Sequence, residues 1–214
     1  MDDRVLALCE LSGDLLFHKI PKNRLGYYVD QSLKAGLEAA KTYCGQSMQD
    51  IYRDNHIAIR YVEGGKKSYG VILRGQAVMS KDGCSVEVYQ DSIETLAAYS
   101  ELDGVHLTLE QALNVHLAHE LYHIWEYQNN HSIVNDLEPI VSLQCLGIRR
   151  KSHIHKCEEI AAHTFAKELL KLPKLPNYFD YAYLIGTGKM SATSFTELVN
   201  SMSELLRCSD AQCH

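Results

Sequence analysis

The five residues His119-Glu120-Leu121-Tyr122-His123 constrain this chain more than any others. Two histidines four positions apart share a face only on an α-helix. There, four residues advance by about 400°, so the rings lie about 40° apart, one turn above the other. In that setting both imidazoles can converge on one metal ion. The flanks agree with a helix over 108–128. Thr108-Leu109-Glu110-Gln111 has the form of a capping box. Leu113, Leu117, Leu121 and Ile124 make an apolar stripe away from the histidines, and Asn129-Asn130 is a stop. One face packs and the other presents ligands.

A tetrahedral catalytic zinc takes three protein ligands and keeps one position for water. The chain has 11 histidines, eight of them between residues 106 and 163. Candidates downstream for the third ligand are His131, His153, His155, Glu158, Glu159 and His163. His131 lies too close to the end of the same helix to fold back. Glu159 fits best. Glu159, Ala162, His163 and Ala166 share one face of a helix predicted over 156–171, and the alanines allow close approach to the His119–His123 helix. His155 and His163 are second choices, and Glu158 points about 100° away from Glu159.

The pair of motifs, HExxH and then Glu159-Ile-Ala-Ala162-His163-Thr-Phe165-Ala166-Lys-Glu-Leu169-Leu170, resembles the gluzincin metallopeptidases. Within them it is most similar to the ImmA/IrrE-like group, over roughly residues 85–173. That group usually continues into Leu-Leu-Met-Pro, where this chain has Leu169-Leu170-Lys171-Leu172-Pro173. It commonly has Gly before the second histidine, here Tyr122, and Asn or Asp at the position of His163. The resemblance implies one Zn2+ ion held by His119, His123 and Glu159, with Glu120 as catalytic base. It also implies a small sheet packed over the active helix.

The wider pattern predicts an α+β fold of minimal zincin-like form: a small antiparallel sheet of about three strands on a helical part carrying the HExxH helix. Helices are expected over 5–16, 27–43 and 51–54. Strands are expected over 56–62, over 69–79 with a break at Gly75, and over 84–89, joined as a meander through turns at 64–67 and 81–83. Beyond Asp91 only helices are expected: 92–99, 108–128, 134–147, 156–171 and 193–207. Tyr178, Tyr181 and Tyr183 fall in an expected aromatic-rich loop. At 214 residues the chain is one domain, with a core of about 26–173 and a helical extension over 174–214.

Composition excludes other classes. A net charge of -6 disfavours a nucleic-acid binder, which needs a basic face. No apolar run reaches the roughly 18–20 residues that span a bilayer. The start Met1-Asp2-Asp3 has no secretory character, and seven scattered cysteines without CxxC suit a reducing cytoplasm. Cys208 and the tail Cys213-His214 read as a terminus with incidental thiols.

The implied activity is hydrolysis of a peptide bond in a peptide or protein substrate, with zinc-activated water and Glu120 exchanging the proton. The tetrahedral oxyanion needs a further partner, for which His155, His163, Tyr181 and Tyr183 are candidates. His116 lies on the metal side, and Trp125 and Tyr127 read as core and pocket wall. Strand 84–89 is either an open edge for an extended peptide or an internal strand. The basic run from Arg149 to Lys156 is a solvated loop, or a reader of an acidic partner segment. Competing functions are a SprT-like protein with a histidine third ligand, a non-catalytic metal-binding interaction protein, and a structural domain without metal.

Overall fold

A computed structural model describes residues 1–63, 66–68, 71–81, 83–145 and 148–211. Gly64, Gly65 and Asp82 of the expected turns, Tyr69 of the second strand, and Cys213 and His214 of the tail lie outside the described residues. The chain folds as α+β. In order the elements are α1 (Asp3–Leu11), α2 (Leu25–Ala40), α3 (Met48–Asp54), β1 (Ala58–Val62), β2 (Lys66–Ser68), β3 (Val71–Leu73), β4 (Gly75–Ser80) and β5 (Gly83–Tyr89). There follow α4 (Gln90–Ala98), α5 (Leu109–Gln128), α6 (Ile133–Asp136), β6 (Ile140–Cys145), β7 (Ile148–Ser152), α7 (Lys156–Leu170), α8 (Asn177–Gly186) and α9 (Ala192–Ala211). No helix among the described residues is long and apolar enough to cross a membrane.

The sheet is mixed rather than a meander. Its order is β1-β5-β4, with β5 parallel to β1 and antiparallel to β4. Burial explains the order. β5 buries Ser85, Val86, Val88 and Tyr89, whereas no residue of β1 or β4 is fully buried. The most buried segment takes the centre, where neighbours cover it on both sides. Strand 84–89 therefore has no open edge, and β1 and β4 are the edge strands. β2 and β3 pair separately as an antiparallel ribbon.

α2, α5 and α7 form the frame of the site. The expected capping box of α5 is present: Gln111 N–H donates to Thr108 Oγ1, and Thr108 N–H donates to Gln111 Oε1. The buried face of α5 includes Ala112, Val115, Leu117, Leu121, Tyr122 and Ile124. α7 buries Ile160, Ala161, Ala162, Phe165 and Ala166 completely, and packs against both α2 and α5. Its contact with α2 is close enough that a Cβ on Gly36 would lie 2.2 Å from the Ala161 carbonyl oxygen.

Two sequence expectations fail in the second half of the chain. Segment 134–147 is not a helix: it holds the short α6 and then the first strand of the β6–β7 hairpin. Pro139 accounts for this, because proline cannot donate to a helix ladder and disfavours helical backbone at the residue before it. The expected loop around Tyr178–Tyr183 is the helix α8. Tyr178, Phe179, Ala182 and Tyr183 are buried at helical spacing behind Pro176. α9 runs past its expected end and docks on α1 and α2. Arg4 Nη1 pairs with Asp210 at 2.9 Å, and Gly26 N–H donates to Ser209 Oγ at 3.0 Å.

Gly36→Ala is expected to destabilise the protein by about 3 kcal/mol, the upper end for overpacking, because the obstacle is backbone and cannot rotate away. Denaturant unfolding of the two proteins measures the difference.

Candidate metal centre

α5 and α7 bring together three donor atoms. His123 Nε2 lies 3.2 Å from His119 Nε2, and Glu159 Oε2 lies 3.4 Å from His119 Nε2. All three residues are half-buried, and their donor atoms fall within 4.8 Å of one another. Ligand bonds of about 2.0–2.1 Å at tetrahedral angles separate neighbouring donors by about 3.3 Å. The observed spacings match such an edge. The sequence placed these residues on facing surfaces of two helices, and the fold brings them to one point.

The electrostatics suit a cation. Glu158, one residue before Glu159, accepts from His123 Nδ1 at 2.9 Å. A hydrogen bond from that nitrogen to a carboxylate leaves the Nε2 lone pair facing His119 and Glu159. Burial opposes a charge on His123. The hydrogen bond to Glu158, with the charges of Glu159, Glu120 and Glu158, outweighs that and raises its pKa to about 9. Burial also opposes ionisation of Glu159, yet His119, His123 and His163 hold its carboxyl well below the usual range. Without a metal, His123 therefore carries a proton where the ion would sit. A second grouping, His123, Glu126 and Glu158, shares His123. Protein donors already engage it, since Glu126 accepts from Ile133 N–H at 2.7 Å and from Tyr122 Oη at 3.2 Å.

Glu120 turns toward the sheet. Its Oε2 accepts from Ala77 N–H of β4 at 2.7 Å, so Ala77 directs its backbone away from β5. Alternation then gives Gly75, Ala77 and Met79 the outward backbone groups of the edge strand. A Cβ on Gly75 would sit 3.5 Å from the Glu120 side chain. That is ordinary van der Waals contact, so the strand lies directly against the glutamate.

The other candidates occupy different places. His155 is exposed at the start of α7, and with Gly13, Leu16, Glu158 and Glu159 it lines a cleft of about 470 Å³. His163 is buried. Its ring lies 5.0 Å from that of His119, and its Nε2 lies 3.8 Å from Glu10. Burial opposes its protonation, and Glu10 more than compensates, raising its pKa. Tyr183 accepts from Lys189 Nζ at 3.0 Å and packs under Arg74, which pairs with Asp180. Tyr181 stacks on Phe195. His116 is half-buried, its Nε2 is shut from solvent without a hydrogen-bond partner among the described residues, and burial, with the charge of Arg74, pushes its pKa well down. Trp125 stacks on Tyr122, while Tyr127 is exposed. Sequence reasoning missed the roles of Glu158, Ala77 and Glu10. The adjacent Glu158-Glu159 pair was the one signal for the first. A backbone donor and a contact from α1 leave none.

Comparison of the chain with protein-family models, with curated proteins and with solved structures finds no match.

Zinc titrated into the metal-free protein at pH 7 is expected to release about one proton per ion, because the ligand must be neutral and His123 is charged up to about pH 9. Affinity should therefore rise with pH until about 9. Calorimetry in buffers of different ionisation enthalpy reads the proton count. Glu158→Gln should reduce the proton release and weaken zinc by about 10–100-fold.

Proposed function

We propose that this chain is a zinc-dependent peptidase, with the ion held by His119, His123 and Glu159. The observation that carries this reading is the convergence of the three donor atoms at 3.2 and 3.4 Å beside a glutamate adjoining a ligand. A zinc ion bound there supplies a Lewis acid and a water whose pKa falls from 15.7 to about 7.

The chain's own residues supply the remainder. Glu120 takes the proton of the attacking water and delivers it to the leaving amine. Ala77 N–H holds Oε2 of that carboxylate in a fixed orientation during both transfers. The outward backbone groups of β4 other than Ala77 N–H, which Glu120 occupies, can pair with an extended peptide laid along the edge near Glu120. Of the four candidates for stabilising the oxyanion, His155 alone is exposed in the cleft that Glu159 lines. His163 acts differently: it packs on the His119 ring and is tied to α1 through Glu10. Tyr181 and Tyr183 are occupied by Phe195, Arg74 and Lys189. Glu159, with its oxygen at His119, is favoured over His155 as third ligand.

Incubation with a proteome-derived peptide library, read by mass spectrometry, tests the activity. The zinc-loaded protein should cut a subset of peptides. Glu120→Gln should keep zinc and lose about 100–10,000-fold in rate, and Glu159→Ala should lose the ion. His155→Ala should lower kcat by about 100-fold with zinc retained. Cleavage undiminished in Glu120→Gln would contradict the reading.

A further inference from the structure

The β6–β7 hairpin is anchored at its base, where Ile140 is buried in the core and β6 meets the turn at Phe17–Lys19, but beyond that base it stands exposed. Val141, Leu143, Gln144 and Cys145 of β6 are exposed, and so are Ile148, Arg149, Arg150 and Lys151 of β7. Leu143 is 58% and Ile148 72% exposed. A two-stranded ribbon open on both faces is marginal in water, and an unpaired edge is a template for another strand. β7 has β6 as its one strand neighbour among the described residues.

The pairing register sorts the side chains. Leu143 lies opposite Arg150 and Cys145 opposite Ile148, which puts the apolar pair and Arg150 on one face. Gln144 opposes Arg149 and Val141 opposes Lys151, which puts two cations on the other. Among the described residues none of Arg149, Arg150 and Lys151 meets a carboxylate at ion-pair distance, although the chain as a whole is acidic, with net charge -6. After β7 the chain is pinned: His153 Nδ1 donates to the Val134 carbonyl at 2.7 Å, and Ile154 is buried. His155 follows at once, in the cleft beside Glu158 and Glu159.

We propose that β7 is a docking strand for an extended segment of the substrate in which acidic and apolar residues alternate. The word substrate rests on the peptidase reading; the docking does not. Added to the free edge of β7, such a segment sets its carboxylates beside Arg149 and Lys151 and its apolar side chains beside Ile148 and the aliphatic stem of Arg150, while its backbone satisfies that edge. A lipid surface fits less well, because an open edge in hydrocarbon leaves backbone groups unsatisfied. Nucleic acid fits less well, because the hairpin carries no aromatic platform for bases.

The test is fluorescence anisotropy with the full chain and a labelled peptide of alternating Glu and Val. Binding should weaken with salt and fall at least about tenfold in Arg149→Glu/Lys151→Glu. It should also fall with a backbone N-methylated peptide and be absent with a Lys-Val peptide. Equal affinity in the double variant, no binding at about 1 mM, or preference for phosphatidylserine vesicles or duplex DNA would overturn the proposal. Glu120→Gln must bind the peptide like the parent protein. If the peptide binds and no library peptide is cleaved, the peptidase reading fails and the docking stands. If cleavage occurs but the double variant cuts acidic peptides equally well, the docking fails and the peptidase reading stands.

Discussion

Close packing of α7 between α2 and α5 sets every other feature of the site. A glutamate is a short ligand, and its oxygen reaches the two histidines only if the helix axes approach closely. Ala161, Ala162 and Ala166, all fully buried, together with Gly36 on α2, remove the side-chain volume that would hold the helices apart. The same approach puts Glu158 against the far nitrogen of His123. One packing choice thus fixes a ligand and the partner that orients another ligand.

That arrangement concentrates charge in a half-buried place. Glu158 and Glu159 meet His123 and His119, the charge of Glu120 acts on His123 from beside the sheet, and the His163 ring packs on His119. Desolvation opposes the charged forms of His123, His163 and Glu159, and their attraction to neighbouring opposite charges offsets it. The result in the metal-free protein is a protonated His123 among carboxylates, a configuration in which a divalent cation can replace a proton. α1 takes part from outside. Burial opposes ionisation of Glu10, yet His163 and Lys156 hold its carboxyl at a pKa of about 2. The N-terminal helix is thereby tied to the ring that rests on His119.

Where local spacing carries the information, the sequence was readable. The four-residue interval of His119 and His123, the Thr108–Gln111 cap and the shared face of Glu159 with Ala162 each follow from helical geometry alone, and each is present. The sheet order was not readable, because it depends on which strand is most buried, and burial is a property of the whole fold. The β6–β7 hairpin was hidden by an apolar run that suits helix or strand equally, although Pro139 argued against a helix. α8 is hidden because an aromatic-rich segment between prolines and glycines suits a loop as well as a buried helical face. The Ala77 N–H bond to Glu120 could not be foreseen, since a backbone donor has no residue type.

X-ray absorption at the zinc edge of the zinc-loaded protein tests the central claim most directly. The account predicts one ion with two imidazole nitrogens at about 2.0–2.1 Å, and lighter oxygen scatterers at about 2.0–2.2 Å that include a carboxylate lost in Glu159→Ala. A sulfur shell at about 2.3 Å, or a spectrum unchanged by Glu159→Ala, would contradict it.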